Sequence, residues 1–534
     1  MLALSTEGYS QFTGFIFVFN LIVGTGALTL PAVFQRAGWI LSVLAILALA
    51  FMSYVTLTFV IESMAVANAV LRKRRRLEEE KDDAVQSQAS VNSVGTSQPQ
   101  DLYETEAIPR KKPLSPGSSP RHLPIVETAS HNIVNMNEVE PLLASDALSE
   151  EHDDSICEIV DTVEMGTMAR LFFNRIGTSL FFLCVCIYLY GDLAIYGAAM
   201  SRTITDVICT HMTNGSCNAT MSDDELCFNH TSLTRFDVYR ISLGVFVGLL
   251  GPFVFFNVQK TKYLQVMTLL MRWSAFASMI VLAIRRLIHT PTGEKPPTPT
   301  MVNWEGLPNL FGVCVYSFMC HHSLPSLVTP ISNKKHIFSL LSIDYMLILL
   351  FYLLLSLTGI FAFPFVEDLY TLNFIPSRCD IGSSSVADQV FRYFLALFPV
   401  FTLSASFPII AITLRNNLRS LFLQKPDIHY NKGFVTYFFP LLALLPPLML
   451  AFCSHNLQTL IGITGSYAGS GIQYFIPAFL VFSARRTLSR KLRLEIVDNK
   501  YRSPFGGNFW IIFVIAWATA CIGIVTYNHF SSEV

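Results

Sequence analysis

The sequence predicts an all-α membrane protein with about eleven transmembrane helices, and three observations support this. Of its 534 residues, 52% are hydrophobic and 14% are charged, with a mean hydropathy of +0.47, which is too apolar for a water-exposed surface. Apolar runs of about 20 residues, enough to cross a hydrocarbon core of ~30 Å, recur along the whole chain. The short alternating segments of a membrane β-barrel do not occur, so each span is expected to be helical.

The orientation follows from the termini and the loops. The first ten residues lack the basic segment and cleavage site of a signal peptide, so the first apolar stretch is expected to remain as a span. Sequons at Asn214, Asn218 and Asn229 predict a glycosylated lumenal or extracellular loop over 205–236. Basic residues concentrate in the loops of the opposite side. An odd number of spans then predicts a cytosolic N-terminus and a lumenal or extracellular C-terminus.

Four cysteines fall in the two larger loops on the sequon side, where the environment is oxidising. They are Cys209, Cys217, Cys227 and Cys379. Four cysteines allow three pairings, and the sequence does not choose among them. At least one disulfide is expected.

A polar stretch divides the chain into three parts. Residues 1–70 hold the first two spans and residues 167–534 hold the others. Residues 71–166 are rich in Ser, Pro, Gln and charged residues, and such a composition cannot bury enough apolar surface to offset chain entropy. We therefore expect this stretch to be a disordered cytosolic insert.

The insert contains an acidic dileucine pattern formed by Glu138, Leu142 and Leu143. Clathrin adaptors bind this type of pattern as an endosomal or lysosomal address, which is read by a receptor and is not a membrane anchor. Patterns this short also arise by chance in long polar segments. The predicted location is therefore an endosomal, lysosomal or plasma membrane.

The first span contains Gly24, Thr25 and Gly26 near its middle, with Pro31 further on. Glycine and proline weaken a helix, and an unwound backbone at membrane depth persists only where it lines a cavity. The freed amides and carbonyls can then bind a carboxylate, an ammonium group or a cation. The alternative is a contact between small residues that lets two helices pack closely.

The sixth span has a matching interruption, with His321 and His322 followed by Pro325. Two broken helices five spans apart are typical of an inverted repeat, in which spans one to five and six to ten are related by a pseudo-twofold axis and the site lies between the halves. Either histidine is a candidate for binding substrate or carrying a proton. The alternative is a histidine that only bonds a carbonyl.

Other spans also carry residues that are unusual at membrane depth. The string of small residues over 462–471 predicts close packing or a cavity lining, and packing is the expected role. The hydroxyl of Thr402 suits a small cation if it faces Asn20. Asp192 and Arg272 are costly in lipid, so each is a candidate coupling or gating group, although a structural bridge between them is the expected role.

These spans resemble the amino acid/auxin permease family of the amino acid, polyamine and organocation superfamily. The string Asn20 to Gly26 is similar to the first helix of sodium-coupled neutral amino acid transporters. Three longer strings, Phe19 to Thr29, Tyr188 to Tyr196 and Phe311 to Cys320, resemble the transmembrane protein 104 family most closely. The resemblance implies the LeuT-like fold, a five-plus-five inverted repeat with broken first and sixth helices and a peripheral eleventh helix.

The resemblance also implies a role for particular residues. A substrate carboxylate would be held by Gly24, Thr25 and Gly26, and its amino group by Ser317, Cys320 and His321. A sodium ion would be held by Asn20 and Thr402. The sodium-coupled relatives have proline where His322 stands, so His322 and Asp192 are candidate coupling residues and the ion is either sodium or a proton.

The expected function is alternating-access symport of an amino acid or a similar small zwitterion. No enzyme chemistry is expected, since the sequence has no P-loop or HExxH pattern, and sodium is the only candidate cofactor. The expected partners are the substrate, membrane lipid and a clathrin adaptor, and the net charge of -1 gives no indication of nucleic acid. The alternatives are an amino acid sensor that signals through the insert without significant transport and, less favoured, an ion channel.

Overall fold

The computed structural model describes residues 9–94, 157–209, 223–228, 232–255, 262–289, 298–375, 385–423, 432–454, 456–491 and 499–532. Within these ranges the chain is all-helical apart from two isolated β-bridges. The α-helices, in chain order, are α1 Gln11–Ile22, α2 Thr25–Ala37, α3 Trp39–Val94, α4 Met165–Phe172, α5 Arg175–Ile208, α6 Arg235–Leu250, α7 Lys262–Ile288, α8 Leu307–Ser317, α9 Leu324–Val328, α10 Ile337–Ala362, α11 Val386–Phe422, α12 Lys432–Cys453, α13 Leu457–Thr464, α14 Ile476–Lys491 and α15 Asn508–Ser532.

Eight of the described helices are long and apolar enough to cross a membrane, and there are nine such spans if the bent pair α1 and α2 is one. This confirms a multi-pass helical protein. The sixth and tenth predicted spans are interrupted, so neither gives a helix of full length. The sixth is divided between α8 and α9, and the tenth runs from α13 through two π-helical segments, Gly465–Gly469 and Gly471–Phe475, into α14.

The first part of the predicted insert is helical in the structure. Helix α3 does not end at residue 70 but continues to Val94. Its polar end is rich in Arg, Lys and Glu, which are strong helix formers. An ion pair between Arg74 and Glu78, 3.1 Å apart and one turn apart, adds support.

At the other end of the predicted insert, residues 157–164 pack against the membrane helices. The side chain of Asn68 on α3 accepts a hydrogen bond from the backbone amide of Asp161 at 2.8 Å and donates one to the Asp161 carbonyl at 3.2 Å. Val163 is buried. The predicted dileucine residues Glu138, Leu142 and Leu143 lie outside the described residues.

A disulfide joins Cys209 at the end of α5 to Cys227 in the following loop, which resolves one pairing among the four predicted candidates. Both sulfurs are buried. The loop is also tied to α5 by an ion pair of 2.6 Å between Arg202 and Asp223. The three sequons, Asn214, Asn218 and Asn229, lie outside the described residues.

Another acidic residue, Glu367, lies near Arg202 of this ion pair, in the segment after α10. Its burial, together with the nearby carboxylate of Asp206, raises the pKa of Glu367.

Small residues bring α8 directly against the tenth span. A Cβ on Gly312 of α8 would lie 2.1 Å from the carbonyl oxygen of Gly462, and one on Gly465 would lie 2.0 Å from the carbonyl oxygen of Gly312. On the neighbouring side, a Cβ on Gly191 of α5 would lie 2.3 Å from Thr464 Oγ1. The expected packing role of the string over 462–471 is therefore confirmed. This packing fixes α5, α8 and the tenth span as neighbours around the two breaks.

Candidate functional site

The first span is broken as predicted, with a bend of 53° between α1 and α2. Helix α1 ends at Ile22 and α2 begins at Thr25, with Gly24 between them and no side chain capping α2. The first amides of a helix and the last carbonyls have no acceptor or donor within it. The break therefore leaves the amides of Thr25 and Gly26 without acceptors within the helix, and the last carbonyls of α1 without donors within it.

The sixth span is also broken as predicted. Helix α8 ends at Ser317, residues 318–323 form turns, and α9 begins at Leu324. Pro325 lies in the first turn of α9, where its missing amide hydrogen removes no helical bond. Both interruptions thus follow directly from the local sequence.

The two breaks are in contact. A Cβ on Gly26 would lie 2.7 Å from the Cα of Ser317, so the first turn of α2 touches the last residue of α8. The fully buried Tyr352 of α10 donates its hydroxyl proton to the carbonyl of Ile22 at 3.0 Å and to that of Ser317 at 2.9 Å. One phenol therefore bridges the last turns of α1 and α8. The Ser317 hydroxyl is not free, because it donates to the Val313 carbonyl of its own helix at 2.7 Å.

The other residues predicted in the sixth span face α3 and α10. Cys320 Sγ lies 3.4 Å from the Tyr345 hydroxyl, and His321 Nε2 shares a hydrogen bond of 3.0 Å with the hydroxyl of Thr56. The second ring nitrogen of His321 is buried and has no partner among the described residues. His322 lies on the other side, with its ring 5.8 Å from that of Tyr188.

Open space lies beside the amides of the first break. A Cβ on Gly24 would meet only the carbonyl oxygen of Ile22, at 3.9 Å. The Thr25 hydroxyl is buried and forms no hydrogen bond of ordinary geometry with another described residue, although the Tyr196 side chain adjoins it. The first turn of α2 thus offers two amides, a hydroxyl and the positive end of the helix dipole to a negatively charged group.

The predicted sodium ligands do not form a sodium site. Arg272 of α7 donates from Nη1 to the carbonyl of Asn20 at 2.8 Å, to Asn20 Oδ1 at 3.2 Å and to the carbonyl of Val23 at 3.0 Å. The Thr402 hydroxyl instead donates to carbonyls of its own helix, at 3.1 Å and 3.2 Å. A small cavity of about 10 Å³ beside Asn20 and Arg272 has room for about one water. A guanidinium therefore occupies the oxygen cluster that sodium would need, and these residues do not fit the ion.

The expected bridge between Asp192 and Arg272 is wrong for the same reason. Arg272 binds the end of α1, whereas the carboxylate of Asp192 accepts the Tyr316 hydroxyl at 2.5 Å. Among the described residues, no salt bridge includes Asp192. Each charged group has a separate partner, and Asp192 lies beside the end of α8.

The two halves of the first span are held by different parts of the chain. Before α1, the amide of Tyr9 donates to the Pro330 carbonyl at 2.9 Å and the amide of Ser332 donates to the Tyr9 carbonyl at 3.0 Å. At the end of α2, Arg36 forms an ion pair of 2.7 Å with Asp368 in the segment after α10. Helix α1 is thus attached beside α9, and α2 is attached at the opposite end.

Four tyrosines that connect these elements were not predicted. They are Tyr188, Tyr196, Tyr316 and Tyr352. Tyrosine is an ordinary residue in apolar helices, so its presence at these positions carried no signal. Only the spacing of Tyr188, Asp192 and Tyr196 at intervals of four residues could have indicated a shared helix face.

Comparison with known proteins identifies the family. Residues 7–77 and 165–528 match the family model described as transmembrane amino acid transporter protein. The chain is 47% identical to transmembrane protein 104 of Mus musculus over 97% of this chain and 96% of that protein, and 47% identical to the Homo sapiens protein over 99% and 98%. It is 43% identical to the transmembrane protein 104 homolog of Drosophila melanogaster over 98% and 97%. The chain therefore belongs to the transmembrane protein 104 family, within the transmembrane amino acid transporter proteins.

Proposed function

We propose that this chain is a secondary active transporter that moves amino acids or similar small zwitterions by alternating access. The observation that carries the proposal is the contact between the two helix breaks, which Tyr352 bridges and Gly26 permits. The description of the matching family model supports the solute class. The proposal includes eleven spans in a LeuT-like five-plus-five inverted repeat, with the site between the repeats.

In this proposal the substrate carboxylate binds at the start of α2. The amides of Thr25 and Gly26 are aligned with the helix dipole, and the open space beside Gly24 lets a ligand approach them. The Thr25 hydroxyl supplies one more donor. Gly26 has a second role, because its missing side chain also allows α2 to contact Ser317.

We propose protons, rather than sodium, as the coupling ion. Arg272 holds the oxygens of Asn20 and Val23 with a fixed positive charge, and a sodium ion at the same oxygens would be repelled by it. Asp344 is a buried carboxyl group whose oxygens have no hydrogen-bond partner among the described residues, so it is able to take up a proton.

The proposal also covers topology and location. The N-terminus is cytosolic, the C-terminus is lumenal or extracellular, and the sequons at Asn214, Asn218 and Asn229 carry glycans. The dileucine pattern that includes Leu142 and Leu143 directs the protein to endosomes or lysosomes through a clathrin adaptor. These statements depend on the loop sequences and not on the helix geometry.

Counterflow tests the proposed transport directly. The purified full chain in proteoliposomes loaded with one unlabelled amino acid at a time should accumulate the same labelled amino acid for at least one solute. Empty liposomes serve as the control. Stabilisation of the protein by an amino acid without any counterflow would contradict transport and favour a sensor.

Sodium replacement tests the coupling ion. Uptake of that solute should be the same, within about a factor of two, when choline replaces sodium at constant ionic strength, because a guanidinium already occupies the oxygen cluster at the end of α1. An inward proton gradient should increase uptake in the same vesicles. A strict requirement for sodium would contradict this assignment of Arg272.

A further inference from the structure

One face of α5 passes both helix breaks. Tyr188, Asp192 and Tyr196 follow one another at intervals of four residues, which places them on the same side of the helix. The Tyr188 ring lies 5.8 Å from the His322 ring in the second break, and Tyr196 adjoins Thr25 at the first break. Asp192 is therefore positioned between the two breaks.

The carboxylate of Asp192 lacks a cation. It is 7% exposed, and the Tyr316 hydroxyl donates to its Oδ1 at 2.5 Å. No Lys, Arg or His forms a salt bridge with it among the described residues, and Arg272 binds the end of α1. A buried carboxylate is costly unless it is paired, so the site as it stands favours the arrival of a positive group.

Two aromatic rings adjoin this carboxylate. Tyr316 donates to it, and the ring of Tyr188, one helical turn away, lies 6.3 Å from the ring of Tyr316. Aromatic faces attract cations, and this attraction is largest where water is excluded. The surroundings of Asp192 therefore suit a compact cation better than a neutral or negative group.

We infer that Asp192 binds the ammonium group of the ligand, with Tyr188 and Tyr316 beside it. An ammonium group supplies three donors and a full positive charge, which are what the free oxygens of a carboxylate require. The inference rests on the proposed function, in which the carboxylate of the same ligand binds at Thr25. It also moves the amino group away from Ser317 and Cys320, whose side chains are already hydrogen-bonded.

Ligands that differ in one group test the inference. Thermal unfolding of the full chain in lipid nanodiscs is measured with each of the twenty amino acids, and then with the N-acetyl derivative and the decarboxylated amine of the most stabilising one. Ethylamine, which has an ammonium group and no carboxylate, is measured whichever amino acid stabilises the protein most. The amino acid and the amines should raise the Tm, whereas the N-acetyl derivative, which lacks the charge, should not. Equal binding of the N-acetyl derivative would overturn the inference.

Variants test whether Asp192 is the carboxylate that binds the amine. Asp192→Asn keeps the shape and the Tyr316 contact but removes the charge, and should weaken amine binding about 10- to 100-fold. Glu305→Gln neutralises an exposed carboxylate before α8 that has no place in the proposed site, and should leave the amine affinity unchanged. An unaltered affinity in Asp192→Asn would overturn the inference. If Asp192→Asn does not fold, the comparison of amine and N-acetyl ligands on the unmodified protein still tests whether binding requires the ammonium charge.

These outcomes separate the inference from the proposed transport. Binding of ethylamine through Asp192 without counterflow of any amino acid would support the ammonium site and contradict the transporter. Counterflow that is equally fast for an amino acid and its N-acetyl derivative would support transport and contradict the site. An absence of stabilisation by ethylamine and by every amino acid would overturn the ammonium site.

Discussion

Arg272→Leu is expected to lower the Tm by about 5 °C and to abolish counterflow. The leucine fits the apolar surroundings of Phe276 and Phe351, but it leaves the carbonyls of Asn20 and Val23 without their donor at the end of α1. Each buried acceptor that loses its partner costs about 1–3 kcal/mol. The end of α1 should then be free to move, which would displace the first break. The measurements are thermal unfolding and counterflow of the purified protein.

Arg285→Leu on the same helix is the matched control. Arg285 is exposed near the end of α7, so its loss should change the Tm by less than about 2 °C. Arg272→Lys keeps the positive charge and should recover part of the stability, because one ammonium cannot reproduce the geometry of the guanidinium. A Tm for Arg272→Leu equal to that of Arg285→Leu would mean that the contacts with α1 are not stabilising.

Gly26→Ala is expected to reduce the free energy of unfolding by about 1–3 kcal/mol and to reduce transport strongly. The added Cβ would lie 2.4 Å from Ser317 Oγ and 2.7 Å from the Ser317 Cα. A side chain could turn away, but the Cα is backbone, so α2 and α8 would have to separate. The two breaks would then no longer be held at the spacing that Tyr352 bridges.

Gly24→Ala provides the comparison for this variant. Its Cβ would meet only the carbonyl oxygen of Ile22, at an ordinary 3.9 Å, so we expect a Tm close to that of the unmodified protein. The added methyl enters the open space beside the amides of Thr25 and Gly26, and ligand affinity should therefore fall. A stable Gly26→Ala protein with full counterflow would contradict the close contact. An unchanged affinity in Gly24→Ala would contradict the carboxylate site.

Sequence reasoning predicted the two breaks because their causes are local. Glycine at 24 and 26, and proline at 325, weaken a helix wherever it is placed. The close packing of the tenth span was predicted for a similar reason, since a string of small residues suits contact between helices. These features need no knowledge of which helices are neighbours.

The partners of the charged residues could not be predicted, because they depend on contacts between helices that are distant in sequence. Arg272 binds oxygens about 250 positions away along the chain, and Tyr316 reaches Asp192 across 124 positions. The sequence showed two opposite charges at membrane depth, and pairing them was the simplest interpretation. In the structure each charge has a nearer partner. Asn20 does not fit the predicted sodium role because Arg272 binds its oxygens, and nothing in the sequence indicated this contact.

The shared proton of Tyr352 has a consequence for how the molecule opens. One hydroxyl hydrogen serves two acceptors, the carbonyls of Ile22 and Ser317, so neither receives a full hydrogen bond. If the first and sixth spans move apart, the phenol can remain with one carbonyl and form a complete bond there. The enthalpy lost on separation is then smaller than two intact bonds would suggest. Tyr352 therefore holds the two helix ends together without strongly opposing their separation.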